Sequence, residues 1–391
     1  MRGAVVQKPR GTGRWYVVLD LDRDGTGRRR QKWHSGFRTK REAEKGLTAL
    51  LAAQDTGTYV APQKITLGEY LADRWLPAIE ATVRPTTFAG YRAHVRVYVN
   101  PALGSIPLQS VTTDQLNAFY LQLHRAGGRD GAALAPATVR RVHATLHRAF
   151  RDAMSWGYLN RNPAALAVKP KQRSAGSVEM KTWTAAEVRR FLDHVREDRL
   201  FPAWRLAAST GLRRGELLGL RWQDVDLDTG RVSVRQTLTT VGNKVAFGEP
   251  KTARGKRNIA VDGVTIGALR TWRACQAQER LAFGQAWHDT GLVFSREDGS
   301  LIHPDALSFW FDRHVRAAAV PRIRFHDLRH THATLALQAG VPAKVVSERL
   351  GHATVAFTLD VYSHVIPALQ EDAAERIAAL VDVSESNVSG V

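Results

Sequence analysis

The sequence holds a single cysteine, Cys275, which excludes an internal disulfide and any zinc site built from several thiolates. It has no apolar run approaching the roughly 20 residues that span a bilayer, so a membrane-spanning helix is not expected. Met1 to Lys8 lack the apolar stretch of a secretory signal, and export by that route is not expected either. Internal repeats and low-complexity tracts are missing. Acidic side chains are scarce beside basic ones: 37 Asp and Glu stand against 56 Lys and Arg, a net charge of +19. What is present is globular in kind. With 44% hydrophobic and 24% charged residues, 15 Pro and 31 Gly, the chain is neither collagen-like nor wholly disordered. Its 391 residues exceed one ordinary core and call for two or three domains, expected in the cytoplasm.

The basic excess favours a polyanionic partner, because each phosphate neutralised by Lys or Arg releases condensed counterions. A protein of membrane surfaces can be equally basic, but it concentrates its charge on an amphipathic helix, and none stands out. Nucleic acid is therefore the expected partner class. Composition does not select a chemistry.

Residues 1–62 read as a first unit. Residues 15–20 have strand character, 22–27 form a turn, and 28–35 return as a second strand. Thr39 and Glu42 have capping-box spacing and precede Ala43, Leu47, Leu50 and Leu51 at helical intervals. The unit carries 13 basic and 6 acidic residues, and Arg28, Arg29, Arg30 and Trp33 share one strand. A small sheet presenting arginine and aromatics suits a DNA groove; the alternative is an edge strand guarded by charge. Residues 65–168 read as all-helical. Thr66 and Glu69 repeat the capping pattern, Pro85 opens a second helix, and a third covers 113–125. The fourth has the clearest stripe, Val139, Val142, Leu146, Ala149, Phe150 and Ala153, ended at Trp156 and Gly157. Its other face, with Arg140, Arg141, His147, Arg148 and Arg151, suits phosphate contact or plain solvation. Residues 169–182 are polar, basic and poor in large apolar groups, a linker signature. Thr184 and Glu187 then open a further globular unit, backed by Val188, Phe191, Leu192 and Val195.

That last unit concentrates polar residues at helix junctions. Gly211 stops one apolar helix before Leu217, Leu218 and Leu220 begin another, which fixes Arg213 between packed helices. An unpaired cation is costly there, so Arg213 is either bridged by Glu216 or held ready for an anion. Residues 231–237, 244–247 and 257–261 read as strands of one small sheet. Lys251 lies between them, a position that alone reads as an exposed solubility residue. His326 and Arg329 are three apart on a polar helix and share a face, while Leu328, Leu335 and Ala336 mark the buried side. His326, His330 and His332 raise the question of zinc, but Arg329 in their midst and the missing carboxylates or thiolates argue against a metal. Leu350, Gly351 and His352 end another helix. Tyr362, ten residues further on, reads by itself as a half-buried packing residue.

Taken in order, Thr210-Gly211-Leu212-Arg213, Lys251-Thr252, His326-Asp327-Leu328-Arg329-His330-Thr331, Leu350-Gly351-His352 and Tyr362 resemble the tyrosine recombinase, or phage integrase, family. Each motif alone is weak; six matching positions in order at fitting intervals are specific. The resemblance covers the whole chain. Residues 1–62 are similar to the arm-type DNA-binding domain and 65–168 to the helical core-binding domain; 169–182 is the linker, and 183–391 is similar to the catalytic domain with its C-terminal assembly helix. The implied fold is multidomain and mainly α: a small N-terminal three-stranded β-sheet plus helix, a helical core-binding domain, and a mixed α+β catalytic domain. The family's first arginine falls on Arg213 rather than Arg214, because Arg213 directly follows Thr-Gly-Leu.

The function implied is that of a site-specific recombinase of a bacterial phage or integrative element, working with no metal or ATP cofactor. Tyr362 would attack a DNA phosphodiester in line, giving a 3′-phosphotyrosyl link and a 5′-hydroxyl. Arg213 and Arg329 would neutralise the non-bridging oxygens, and His352 would add a hydrogen bond. Lys251 would protonate the leaving oxygen, His326 would be base and later acid for the tyrosine, and Glu216 would orient an arginine. The implied partners are double-stranded attachment sites of core and arm type, further copies forming a homotetramer on DNA, and an excisionase or host DNA-bending factor. The implied location is cytoplasmic and nucleoid-associated. Residues 367–380 read as a short amphipathic helix that packs on its own domain or docks on a neighbouring protomer. Two other readings compete. A type IB-like topoisomerase shares the catalytic set, but residues 1–62 favour an integrase. A non-catalytic architectural DNA-binding protein explains the charge, yet gives no reason for Tyr362 and Lys251 in register with two arginines.

Overall fold

A computed structural model describes residues 3–9, 13–21, 27–28, 30–169, 181–242, 244–250, 253–362, 374–375, 377–378 and 381. The chain divides into two compact units, Met1–Ala175 and Gly176–Val391.

In the first unit, β1 (Gly3–Gln7), β2 (Trp15–Leu21) and β3 (Arg30–Phe37) form an antiparallel sheet in that order. The residue pattern marks only the last two strands, because β1 is short and has no aromatic side chain to signal it. The helix α1 (Lys40–Asp55) packs on β1 and β2, and its Thr39–Glu42 capping box closes in both directions. Val17, Leu19 and Ala43 are fully buried. Trp33 stays 43% exposed, with the Lys8 ammonium 4.6 Å above its ring and Tyr16 edge-on at 6.2 Å.

The rest of this unit is helical. Leu67–Glu69, Tyr70–Trp75 and Leu76–Ile79 run on as one helix with a π-wound middle, opened by the second expected capping box. It is followed by α2 (Pro85–His94), α3 (Thr113–Ala126) and α4 (Pro136–Ser155). All six residues of the α4 stripe, Val139 to Ala153, are fully buried. Two polar ties fix the first helix against it: the Tyr70 hydroxyl donates to Ala149 O (2.9 Å) and Trp75 Nε1 to Asp152 Oδ2 (2.9 Å). On the other face Arg148 is engaged, donating to the Tyr91 hydroxyl and pairing with Asp152, whereas Arg141 and Arg151 are exposed.

The second unit opens with α5 (Ala185–His194), again behind a complete capping box from Thr184 to Glu187. Next come α6 (Phe201–Thr210), α7 (Arg214–Leu218), strands β4 (Val225–Asp226), β5 (Arg231–Val234), β6 (Thr237–Val241), β7 (Lys244–Gly248) and β8 (Arg257–Ala260), and the long α8 (Gly263–Phe283). The last helices are α9 (Pro304–Ala317), α10 (Asp327–Gln338), α11 (Ala343–Leu350) and α12 (Val355–Tyr362). An aromatic cluster holds the centre: Phe311 lies 6.0 Å from Trp204 and 5.4 Å from Phe325, ring to ring. Phe325 immediately precedes His326, so this packing fixes the start of α10.

One expectation is corrected. The strand pattern suggests a single small sheet, but β5 pairs with β4 and β8, while β6 and β7 make a separate hairpin. The break falls at Arg235 and Gln236. There the Gln236 amide donates to Gly219 O (2.9 Å), and β6 presses so closely on α7 that a Cβ at Gly215 would lie 2.4 Å from Leu238 O. The hairpin follows α7 and leaves the sheet. Of the expected tail helix, Ala374, Glu375, Ile377 and Ala378 are helical and the remainder lies outside the described residues. Among the described residues no helix is long and apolar enough to cross a membrane, and no group of three or more His, Cys, Asp or Glu is placed to hold a metal ion.

Candidate active site

The site begins at the turn between α6 and α7. Gly211 ends α6 in the left-handed region (φ +66°), and a Cβ there would meet Leu350 Cδ2 at 2.6 Å. Two residues on, Arg213 caps α7. Its backbone N–H donates to Glu216 Oε2 (3.0 Å) and its Nη1 to Glu216 Oε1 (2.7 Å), leaving the side chain 40% exposed. Glu216 is 4% exposed and is gripped from the other side by Arg257, whose Nη1 and Nη2 donate at 3.1 and 2.9 Å. Burial alone would raise this carboxyl; the hydrogen bonds and charge of Arg257, then the charge of Arg213, hold it at about 2. Arg257 was not singled out by the motifs. Its signal is the alternation of β8, which sets it on the same inward face as Ile259.

Arg329, on the first turn of α10, is 3% exposed. Nη1 donates to Gly211 O (3.0 Å) and Nη2 to Leu350 O (2.6 Å). Both acceptors are carbonyls at helix C-termini, where orphaned acceptors and the negative dipole end favour a cation. Burial and then the Arg213 charge lower the guanidinium to about 9, so it remains charged at neutral pH.

The histidines divide by role. His326, at the entry to α10, is solvent-accessible but crowded; partial desolvation, then the charges of His330 and Arg329, bring it to about 4. His352 lies just past α11 and shares a hydrogen bond through Nδ1 with the Thr358 hydroxyl (2.8 Å). Burial, then Arg329 and Arg213, lower it to about 3. His332 donates from Nδ1 to Ala208 O (3.2 Å) and braces the end of α6. Tyr362 is 1% exposed, in an apolar wall with Ala333, Leu337, Val346 and Leu350, and its hydroxyl shares a hydrogen bond with His330 Nδ1 (2.9 Å). Burial pushes that hydroxyl up to about 12, against the pull of Arg329. Thr358 and Tyr362 lie one helical turn apart on the inward face of α12.

The structure thus gathers Arg213, His326, Arg329, His352 and Tyr362, while Lys251 lies outside the described residues. Arg214, the neighbour of the first arginine, is engaged by α9, donating to Pro304 O (3.0 Å) and Ser308 Oγ (2.7 Å). Beside the cluster opens a cleft of ≈ 1000 Å³ lined by Arg213, Arg214, His326 and Lys181, with Arg322 and Arg324 on its wall paired to Asp312 and Asp327, so that basic side chains outnumber acidic ones.

Comparison with known proteins identifies the family. The phage integrase family matches residues 181–368, an arm DNA-binding domain matches 5–53, and the N-terminal SAM-like domain of phage integrases matches 66–124. The chain belongs to the phage integrase family. It is an enzyme of site-specific DNA recombination, multidomain and mainly α. The integrase is 29% identical to a tyrosine recombinase XerC-like protein of Caldanaerobacter subterraneus subsp. tengcongensis, over 93% of this chain and 95% of that one. It is 27% identical to the integrase of Mycobacterium phage L5, with 85% and 84% of the two chains covered. Its fold is similar to that of the Tn1549 transposon integrase solved with transposon right end DNA (TM-score 0.64, 22% identity, 79% of this chain and 100% of that chain). The same holds for a lambda integrase tetramer bound to a Holliday junction (TM-score 0.55, 19% identity, 91% and 94% covered).

Proposed function

We propose that this integrase cuts and rejoins double-stranded DNA at attachment sites through a 3′-phosphotyrosyl link on Tyr362, inserting a phage or other mobile element. The observation that carries the reading is the packing of two arginines, two imidazoles and one tyrosine around the ends of α6, α10, α11 and α12. Phosphoryl transfer concentrates negative charge on the non-bridging oxygens, and Arg213 and Arg329 meet it with guanidiniums already fixed by Glu216 and by helix carbonyls. Each such donor is worth about 10²–10³ in rate where it is preorganised. In the tautomer whose Nδ1 accepts from the Thr358 hydroxyl, Nε2–H of His352 is left to add a third hydrogen bond to the phosphate. The family resemblance gives His326, at the mouth of the cleft, the part of base and later acid for the tyrosine. Lys251 is assigned the leaving 5′-oxygen on its sequence motif.

The same reading divides the chain into an arm-site module at 1–62, a core-site module at 65–168, a linker at 169–182 and a catalytic module at 183–391. It places a homotetramer on paired duplexes, with an excisionase or host DNA-bending factor setting direction, and the working location at the nucleoid. The test is incubation with two duplexes carrying the attachment site, one a nicked linear fragment and the other a supercoiled closed circle. Covalent adduct and exchanged strands are expected. Relaxation of supercoils without exchange would return the topoisomerase reading, and binding without adduct the architectural one.

A further inference from the structure

We propose that His330 takes the proton of the Tyr362 hydroxyl as that oxygen attacks phosphorus, a role that the family resemblance gives to His326. The proposal rests on the reading of Tyr362 as nucleophile. His330 Nδ1 stands 2.9 Å from Tyr362 Oη, the separation expected of a nucleophile and its base. His330 sits next to Arg329 on the first turn of α10, so one helix carries both the charge clamp and the proton acceptor. The tyrosine is 1% exposed among Ala333, Leu337 and Leu350, where bulk water is not at hand to receive a proton. Its hydroxyl, raised to about 12 by burial, is ionised unaided in only about one molecule in 10⁵ at pH 7. Burial, with Arg329 and Arg324 opposing Asp327, keeps His330 below its ordinary range and therefore neutral and able to accept. The His326 ring stands perpendicular to that of His330, centroids 5.2 Å apart, and packs against the tyrosine's partner.

The step balances. The Oη–P bond forms as the P–O5′ bond breaks; the hydroxyl proton passes to His330 Nδ1, and the departing oxygen takes its proton from the acid assigned to Lys251. Rejoining runs the same path backwards, with His330 returning the proton to Oη.

The test uses the full chain and a nicked duplex bearing the attachment site, read as single-turnover adduct formation beside DNA binding. His330→Ala is expected to slow adduct formation by about 100-fold or more with binding held within about threefold. Replacing Tyr362 by 2,3,5-trifluorotyrosine, whose phenol ionises more readily, should restore most of that rate, which a packing role for His330 would not allow. Should His330→Ala fail to bind DNA, His330→Gln carries the same comparison. Wild-type rate in the histidine variant, or a loss that the fluorinated tyrosine leaves untouched, would overturn the proposal. Adduct persisting in Tyr362→Phe would instead overturn the nucleophile reading, so the two failures are told apart.

Discussion

Glu216 is a carboxylate placed where burial should neutralise it, and it stays ionised because two arginines converge on it. Glu216→Gln leaves Arg257 buried beside a neutral amide and is expected to destabilise the second unit by about 3 kcal/mol, measured as a lower denaturant midpoint. The sign of its pH dependence follows from a carboxyl held at about 2, below its ordinary value. The stabilisation is complete above the ordinary range and is lost as pH falls towards 2, so the Gln variant should lack that acid step. Histidines add an earlier one. His332 and His352 titrate at about 4 and about 3 in the fold, whereas the unfolded chain takes up protons from about 6.5. Stability of the second unit should therefore fall as pH drops from 6.5 to 4; a midpoint unchanged across that interval would contradict the buried, neutral state of both rings. Among the described site residues, Arg213, His326, Arg329, His352 and Tyr362 were marked in the sequence by the resemblance that their order and interval carry, and the fold brings them together. Arg257 was legible only through strand alternation. The His330–Tyr362 pair was not, because it depends on α12 returning to α10 across 32 residues, which no local pattern encodes.

Elements were legible where local chemistry decides them. Three Thr-x-x-Glu patterns, at Thr39, Thr66 and Thr184, each start a helix with both cap hydrogen bonds made. The β5–β8 region was misread because strand pattern reports a strand's faces and not its partner, and α7 captures the β6–β7 hairpin. Gly351 shows how one element end serves the site. It closes α11 at φ +66°, and a Cβ there would lie 2.9 Å from Arg254 O and 3.1 Å from Arg257 Nη1. Gly351→Ala should cost about 1–3 kcal/mol in backbone strain and displace Arg257 from Glu216. Adduct formation is expected to fall with it by about tenfold or more, checked by denaturation and single-turnover cleavage of the same preparation.

At the scale of the whole molecule, the basic excess is shared unevenly along the chain. Residues 1–62 hold 13 basic and 6 acidic side chains, so 13 − 6 = +7 of the net +19 belongs to that segment. Removing it should leave cleavage at core sites intact, abolish dependence on flanking arm sites, and flatten the salt dependence of binding to arm-bearing DNA. Equal activity of the truncated chain on both substrates would leave the segment without a function.

The central claim is that Tyr362 becomes covalently joined to DNA. Adduct trapped on a nicked attachment-site duplex can be trimmed with nuclease and protease and sequenced by mass spectrometry. A 3′-phosphonucleotide on the peptide containing Tyr362, and its loss in Tyr362→Phe, are the predicted results; a nucleotide on any other residue would contradict the account.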